Sequence, residues 1–188
     1  MNQLFNESIA YLLQQLIATP SFSAEESETA DLIQEYLEAK DITINRHENN
    51  IWATNKHFDN HKPTILLNSH HDTVHPVSGY SRNPFDPQVE NGRLYGLGSN
   101  DAGGALVSLL AAFIHFYEQQ NLKYNLVFAA TAEEEISGDN GISSILDRLP
   151  DIHSAIVGEP TQMQMAVAEK GLMVLDCVAR RKKRSRCT

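Results

Sequence analysis

The sequence predicts an α/β fold, a mostly parallel sheet flanked by helices. Three observations predict it. Residues 64–68, 126–130 and 155–157 are short, continuous apolar runs. Such runs are expected of parallel strands buried on both faces. Segments with helical periodicity alternate with these runs, the pattern of layered α/β domains. Each run also ends in imidazole or carboxylate residues, as strands do when their carboxyl ends share one rim.

Residues 5–18 read as a helix with Leu12, Leu13, Leu16 and Ile17 on one face, stopped by Thr19-Pro20. Ser23 with Glu26 three residues later reads as a capping box opening a second helix over 24–40. Its apolar face is Ala30, Ile33, Tyr36 and Leu37. Residues 42–46 and 51–54 read as strands of a hairpin turning at Glu48-Asn49-Asn50. The strand at 64–68 follows Pro63, and a loop rich in Pro, Gly and Asn occupies 76–98. A helix is expected over 103–119, with Leu106, Leu109, Leu110, Phe113 and Ile114 inward. A strand follows at 124–130, a short helix at 141–149 and a strand at 154–157. Residues 163–179 read as strand-rich around Glu169-Lys170-Gly171.

The 188 residues are enough for one domain with a sizeable core. No apolar run approaches the ~20 residues needed to span a bilayer, so no membrane partner is expected. No secretory signal is read at the N-terminus. The two cysteines, Cys177 and Cys187, do not suggest a disulfide framework, and a cytoplasmic location is expected. The formal net charge is −9, although six basic residues crowd the last nine positions. An acidic body disfavours nucleic acid as a partner.

The chemistry lies at the strand ends. The first run leads into Ser69-His70-His71-Asp72, the second into Glu133-Glu134-Glu135 and the third into Gly158-Glu159-Pro160. Asp101 follows the turn Gly96-Leu97-Gly98-Ser99-Asn100, just before a helix. Carboxylates crowded on one rim repel one another, and a cation removes that cost. A mixed carboxylate and imidazole set suits zinc, cobalt or manganese. The set is too large for one tetrahedral ion, and two ions sharing a carboxylate would use it. A remaining Glu would be free to serve as a general base. Taken singly, His70 at a strand end, Asp101 before a helix and Glu159 before Pro160 are ordinary surface, cap and turn residues.

These segments resemble the two-zinc amidohydrolases and exopeptidases that include acetylornithine deacetylase, succinyl-diaminopimelate desuccinylase and aminoacylase. The resemblance runs from Phe5 to Ala179 and rests on four motifs in order: His70-His71-Asp72, Gly98-Ser99-Asn100-Asp101, Glu133-Glu134-Glu135 and Gly158-Glu159-Pro160-Thr161. It implies two zinc ions, with cobalt or manganese as substitutes. His70 and Glu159 would hold one ion and Glu135 the other, with Asp101 bridging them. Asp72 would orient His70, His71 would be the variable middle residue, and Glu134 would be the general base of amide hydrolysis. A slip of one residue would assign Glu133 and Glu134 instead of Glu134 and Glu135. Ala102-Gly103 stands where many relatives have Met-Lys.

Residues 68–74 and 95–104 look most like acetylornithine deacetylase. The implied substrate is therefore a small N-acyl amino acid such as N-acetylornithine, in arginine synthesis. An exopeptidase, a desuccinylase and a non-catalytic metal-binding fragment are the rivals. Family members are about twice as long; they carry a lid domain with the homodimer interface and a last His ligand for the second metal. The sequence thus reads as residues 1–179, the N-terminal part of the catalytic domain, and residues 180–188, an aberrant basic tail. A frameshift or premature stop is the expected origin of that tail, and little or no hydrolase activity is expected of the 188 residues alone.

Overall fold

The computed structural model describes residues 3–168. Its centre is a five-stranded sheet in the order β1-β2-β6-β3-β7. The strands are β1 (Asn45–His47), β2 (Asn50–Thr54), β3 (Thr64–His70), β6 (Asn125–Thr131) and β7 (Ser154–Val157). A separate two-stranded ribbon pairs β4 (Gln88–Glu90) with β5 (Arg93–Tyr95). The helices are α1 (Gln3–Ala18), α2 (Ser27–Glu38) and α3 (Gly104–Phe116).

β3 runs parallel to both β6 and β7, whereas β2 pairs antiparallel with β6 and β1 antiparallel with β2. The expected parallel core is therefore extended on one side by the β1–β2 hairpin. Side chains on β6 alternate between two apolar layers. Phe128 and Ala130 join Leu12, Leu16, Ile33, Leu37, Leu106, Leu110 and Phe113 on the face covered by the three helices. Val127 and Ala129 face the other way, toward Trp52, Leu66 and Ile145. A strand filled on both faces must be apolar at consecutive positions, which is why β3 and β6 stand out in the sequence. Each fully buried Phe, Leu or Ile stabilises the fold by ~1.5–3 kcal/mol.

Several expectations need correction. Ser23 does not cap α2. The helix begins at Ser27, Glu26 occupies the cap position, and no side chain closes the helix end. Residues 42–44 are not strand, although Ile42 is buried against the core. The region 76–98 contains the β4–β5 ribbon, turned at Asn91 and Gly92, which both take positive φ. That pairing of residues is the one that favours a tight hairpin turn. Residues 141–149 form two short 3₁₀ turns, Ile142–Ser144 and Leu146–Arg148, instead of an α-helix. β7 is not buried on both faces: Ile156 and Val157 are 52% and 57% exposed. It borders only β3, so one edge has no described neighbour. Residues 163–168 are not strand, and the rest of the segment to 179, with the basic tail, lies outside the described residues.

Candidate metal centre

The register of the parallel strands brings the site residues together. His70, the last residue of β3, pairs with Thr131, the last residue of β6. Val157, ending β7, pairs with Asn68 two positions earlier on β3. Three loops thus leave the sheet at one rim: 71–74, 132–138 and 158–161. The Gly158 amide donates to Asn68 O at 2.8 Å, and Ser69 Oγ donates to Gly158 O at 2.8 Å, so the turn that carries Glu159 is clamped to β3. Asp101 arrives on a tight turn over Ser99–Gly103 that leads into α3. Gly98 precedes it with φ 74°, and a Cβ there would lie 2.7 Å from Thr73 Cγ2. Only glycine accepts both conditions.

His70 is the hub. Its side chain is almost wholly buried. Nδ1 lies 3.2 Å from Asp72 Oδ1 and 3.1 Å from Asp72 O. Nε2 points into the rim, 3.2 Å from Asp101 Oδ1 and 3.8 Å from both Glu134 Oε2 and Glu159 Oε2. The carboxylates at the rim are more open: Asp101, Glu134 and Glu159 are 55%, 54% and 34% exposed. Burial pulls the imidazole pKa down, but the hydrogen bond and charge of Asp72, with the charges of Glu159 and Glu134, more than offset it. The net result is about 9. Without a metal, His70 is therefore an imidazolium at neutral pH.

Asp72 is buried beneath His70. Burial raises its carboxyl pKa, but hydrogen bonds from His70, Ser23 Oγ and the amides of Glu134 and Glu135 win and hold it below the usual carboxylate value. The two amides donate to Oδ1 and Oδ2 at 3.1 Å each, so Asp72 ties the loop of acidic residues to the histidine. His71 faces away from the rim. Its Nε2 donates to Asn49 O at 2.9 Å, its Nδ1 lies 2.9 Å from Thr29 Oγ1, and burial lowers its pKa.

The three acidic neighbours divide. Glu133 is buried and turned away from the rim, its carboxylate accepting from Asn140 N at 3.1 Å and Asn140 Nδ2 at 2.9 Å. Glu134 is exposed and within 3.8 Å of His70. The Glu135 carboxyl is pushed up by burial and then by the charge of Asp101, with smaller contributions from Asp72 and Glu134 against the opposing pull of His70. Glu159 is likewise raised by burial first; His70 opposes the rise, and Glu134, Asp101 and Glu135 add to it.

The donor set fits a divalent cation. His70, Asp101 and Glu159 each offer one ligand atom, all within 4.8 Å of one another. The principal charges acting on Glu135 and Glu159 include the carboxylates of Asp101 and Glu134, with only His70 opposing. A cation would relieve that repulsion. The sequence reading missed three residues that shape the centre. Ser23 donates to Asp72 Oδ2 at 2.8 Å. Glu26 accepts from Glu133 N at 3.1 Å, and Asn50 Oδ1 accepts from Ala132 N at 3.0 Å. Ser23 and Glu26 carried a local signal, a capping pattern, but it pointed to the wrong partners.

Residues 66–172 match the model of peptidase family M20/M25/M40. The chain belongs to this family. It is 34% identical over 164 residues to a succinyl-diaminopimelate desuccinylase of Blochmanniella floridana, and 35% identical over 162 residues to that of Blochmanniella pennsylvanica. Each alignment covers 80% of this chain and 42% of the relative, so the chain spans less than half the length of these relatives. Among solved structures, the M20 family metallo-carboxypeptidase Sso-CP2 from Sulfolobus solfataricus superposes with a TM-score of 0.67 at 25% identity. That match covers 84% of this chain and 37% of the carboxypeptidase. Among the described residues, no helix is long and apolar enough to cross a membrane.

Proposed function

We propose that this rim is the metal centre of an amide hydrolase that removes the acyl group from an N-acyl amino acid. The observation that carries the reading is the convergence of His70 Nε2 with the carboxylates of Asp101, Glu134 and Glu159, each from a different loop. In this reading His70 and Glu159 hold one divalent ion, Glu135 holds a second, and Asp101 serves both. Zinc is the proposed metal, with cobalt or manganese as alternatives. Bound divalent ions would supply Lewis acidity toward the substrate carbonyl.

The chain's own residues supply the rest. Asp72 accepts the Nδ1 proton of His70 and so directs Nε2 toward the rim. Glu134 is the carboxylate best placed to take a proton from water and return it to the departing amine, because it is exposed beside His70 and makes no salt bridge to Lys or Arg among the described residues. Glu133 is excluded from that role in this reading because Asn140 occupies its carboxylate.

The motifs around His70 and Asp101 favour N-acetylornithine as substrate. Identity to the two desuccinylases favours N-succinyl-diaminopimelate as the second reading. A dipeptide substrate on the same centre is a third option, and metal binding without catalysis is the alternative of another class. The first test is a cobalt titration of the 188-residue chain followed by visible absorbance. Binding weakened at least tenfold by His70→Ala is expected; equal binding by parent and variant would refute the metal centre. Little or no turnover is expected of these 188 residues, and cobalt- or zinc-dependent release of acetate or succinate by them would overturn that expectation. In a family-length protein carrying these residues, acetate released from N-acetylornithine against succinate released from N-succinyl-diaminopimelate separates the first two substrates.

A further inference from the structure

Behind the metal centre lies a second carboxylate that the proposed chemistry does not use. Glu26 is fully buried at the start of α2. Its Oε1 accepts from Ala24 N at 2.7 Å and from Glu133 N at 3.1 Å, and its Oε2 accepts from Asn49 Nδ2 at 2.8 Å. Glu133 has φ +53°, a conformation that side-chain-bearing residues avoid. It is the second residue after the end of β6 at Thr131. Four consecutive amides of this turn are each taken by a side-chain oxygen from elsewhere in the chain. Asn50 takes Ala132, Glu26 takes Glu133, and Asp72 takes both Glu134 and Glu135.

We propose that Glu26 is a positioning residue for the proposed hydrolase centre: by holding the Glu133 amide it keeps the left-handed turn, and through it the orientation of Glu134 and Glu135. The assignment of Glu134 and Glu135 rests on the reading above; the turn itself does not. If Glu26 is withdrawn, Glu133 can relax to negative φ. That rotation swings the following peptides and pulls the Glu134 and Glu135 amides away from Asp72. Glu26 therefore acts on residues it does not touch.

The test is amide hydrogen exchange on the metal-free, ¹⁵N-labelled chain, with Glu26→Asp and Glu26→Gln. Aspartate keeps the carboxyl group but draws it back by one methylene. Glutamine keeps the length and an oxygen for the Glu133 amide. Glu26→Asp is expected to speed exchange at residues 133, 134 and 135 together by at least tenfold, with Leu67 and Phe128 in the sheet unchanged. Glu26→Gln is expected to stay within threefold of the parent at all three. Faster exchange at Glu133 alone, or equal acceleration at Leu67 and Phe128, or failure of Glu26→Asp to fold, would each overturn the proposal, as would a Glu26→Gln variant as fast as Glu26→Asp. A cobalt titration of the parent runs alongside. No cobalt binding would remove the metal reading and leave the exchange result standing.

Discussion

Asp72→Asn alters one atom of the most heavily bonded side chain in the centre. Oδ1 faces His70 Nδ1 and the Glu134 amide, and Oδ2 faces Ser23 Oγ and the Glu135 amide. With His70 protonated, all four neighbours are donors. An amide NH₂ on the Oδ2 side meets Ser23, whose hydroxyl can turn to accept, and Glu135 N–H, which cannot. On the Oδ1 side it meets His70, which can release its proton, and Glu134 N–H, which cannot. Either orientation leaves one backbone N–H facing another donor, at ~1–3 kcal/mol, and removes a charged hydrogen bond of ~1.5–3 kcal/mol. The expected loss is therefore about 3–5 kcal/mol at pH 7. Urea unfolding measures it. NMR titration of the His70 ring gives the second readout, and its pKa should fall well below about 9 once Asp72 no longer offsets burial. A stability loss under ~1 kcal/mol, with His70 still titrating near 9, would refute the account of Asp72 as the anchor of the centre.

Three further outcomes follow from the same geometry. His70 has its pKa raised from 6.5 to about 9 in the folded metal-free protein, so its contribution to stability is complete below pH 6.5 and is lost as pH rises through 9. That contribution is about 3 kcal/mol, and a urea midpoint that stays flat between pH 6.5 and 9.5 would contradict it. Cobalt affinity should run the other way, rising ~tenfold per pH unit toward 9, because binding must displace the Nε2 proton. Gly138→Ala would drive a Cβ into the Glu133 carboxylate, which Asn140 holds in place. Destabilisation of ~1–3 kcal/mol is expected, with a shifted Asn140 amide resonance; an unchanged Asn140 signal would sink this explanation.

The sequence carried the sheet and the rim because both are written in local composition. β3 and β6 are apolar at consecutive positions since each is filled from two sides, and the acidic and imidazole residues follow directly where they end. What it did not carry depends on partners far along the chain. Ser23 and Glu26 match a helix cap at the right spacing, yet their oxygens engage Asp72 and Glu133, 49 and 107 residues away. The β4–β5 ribbon escaped notice because its strands are three residues each and largely exposed, leaving only Asn91-Gly92 as a signal. The antiparallel pairing of β2 with β6 is likewise a tertiary choice, since Asn50–Thr54 is apolar enough to lie in either direction. The separation of Glu133 from Glu134 turns on a single positive φ and one asparagine.

The clamp between Ser69 and Gly158 joins residues 89 positions apart. A ribosome adding ~5–20 residues per second needs ~4–18 s to make that stretch. Asp101 follows His70 by 31 positions and Glu159 follows Asp101 by 58, so the rim gains its donors one after another, with Glu159 last. Of the carboxylates that face His70, Glu159 is therefore the last to reach the rim, and it comes only once β7 has been made.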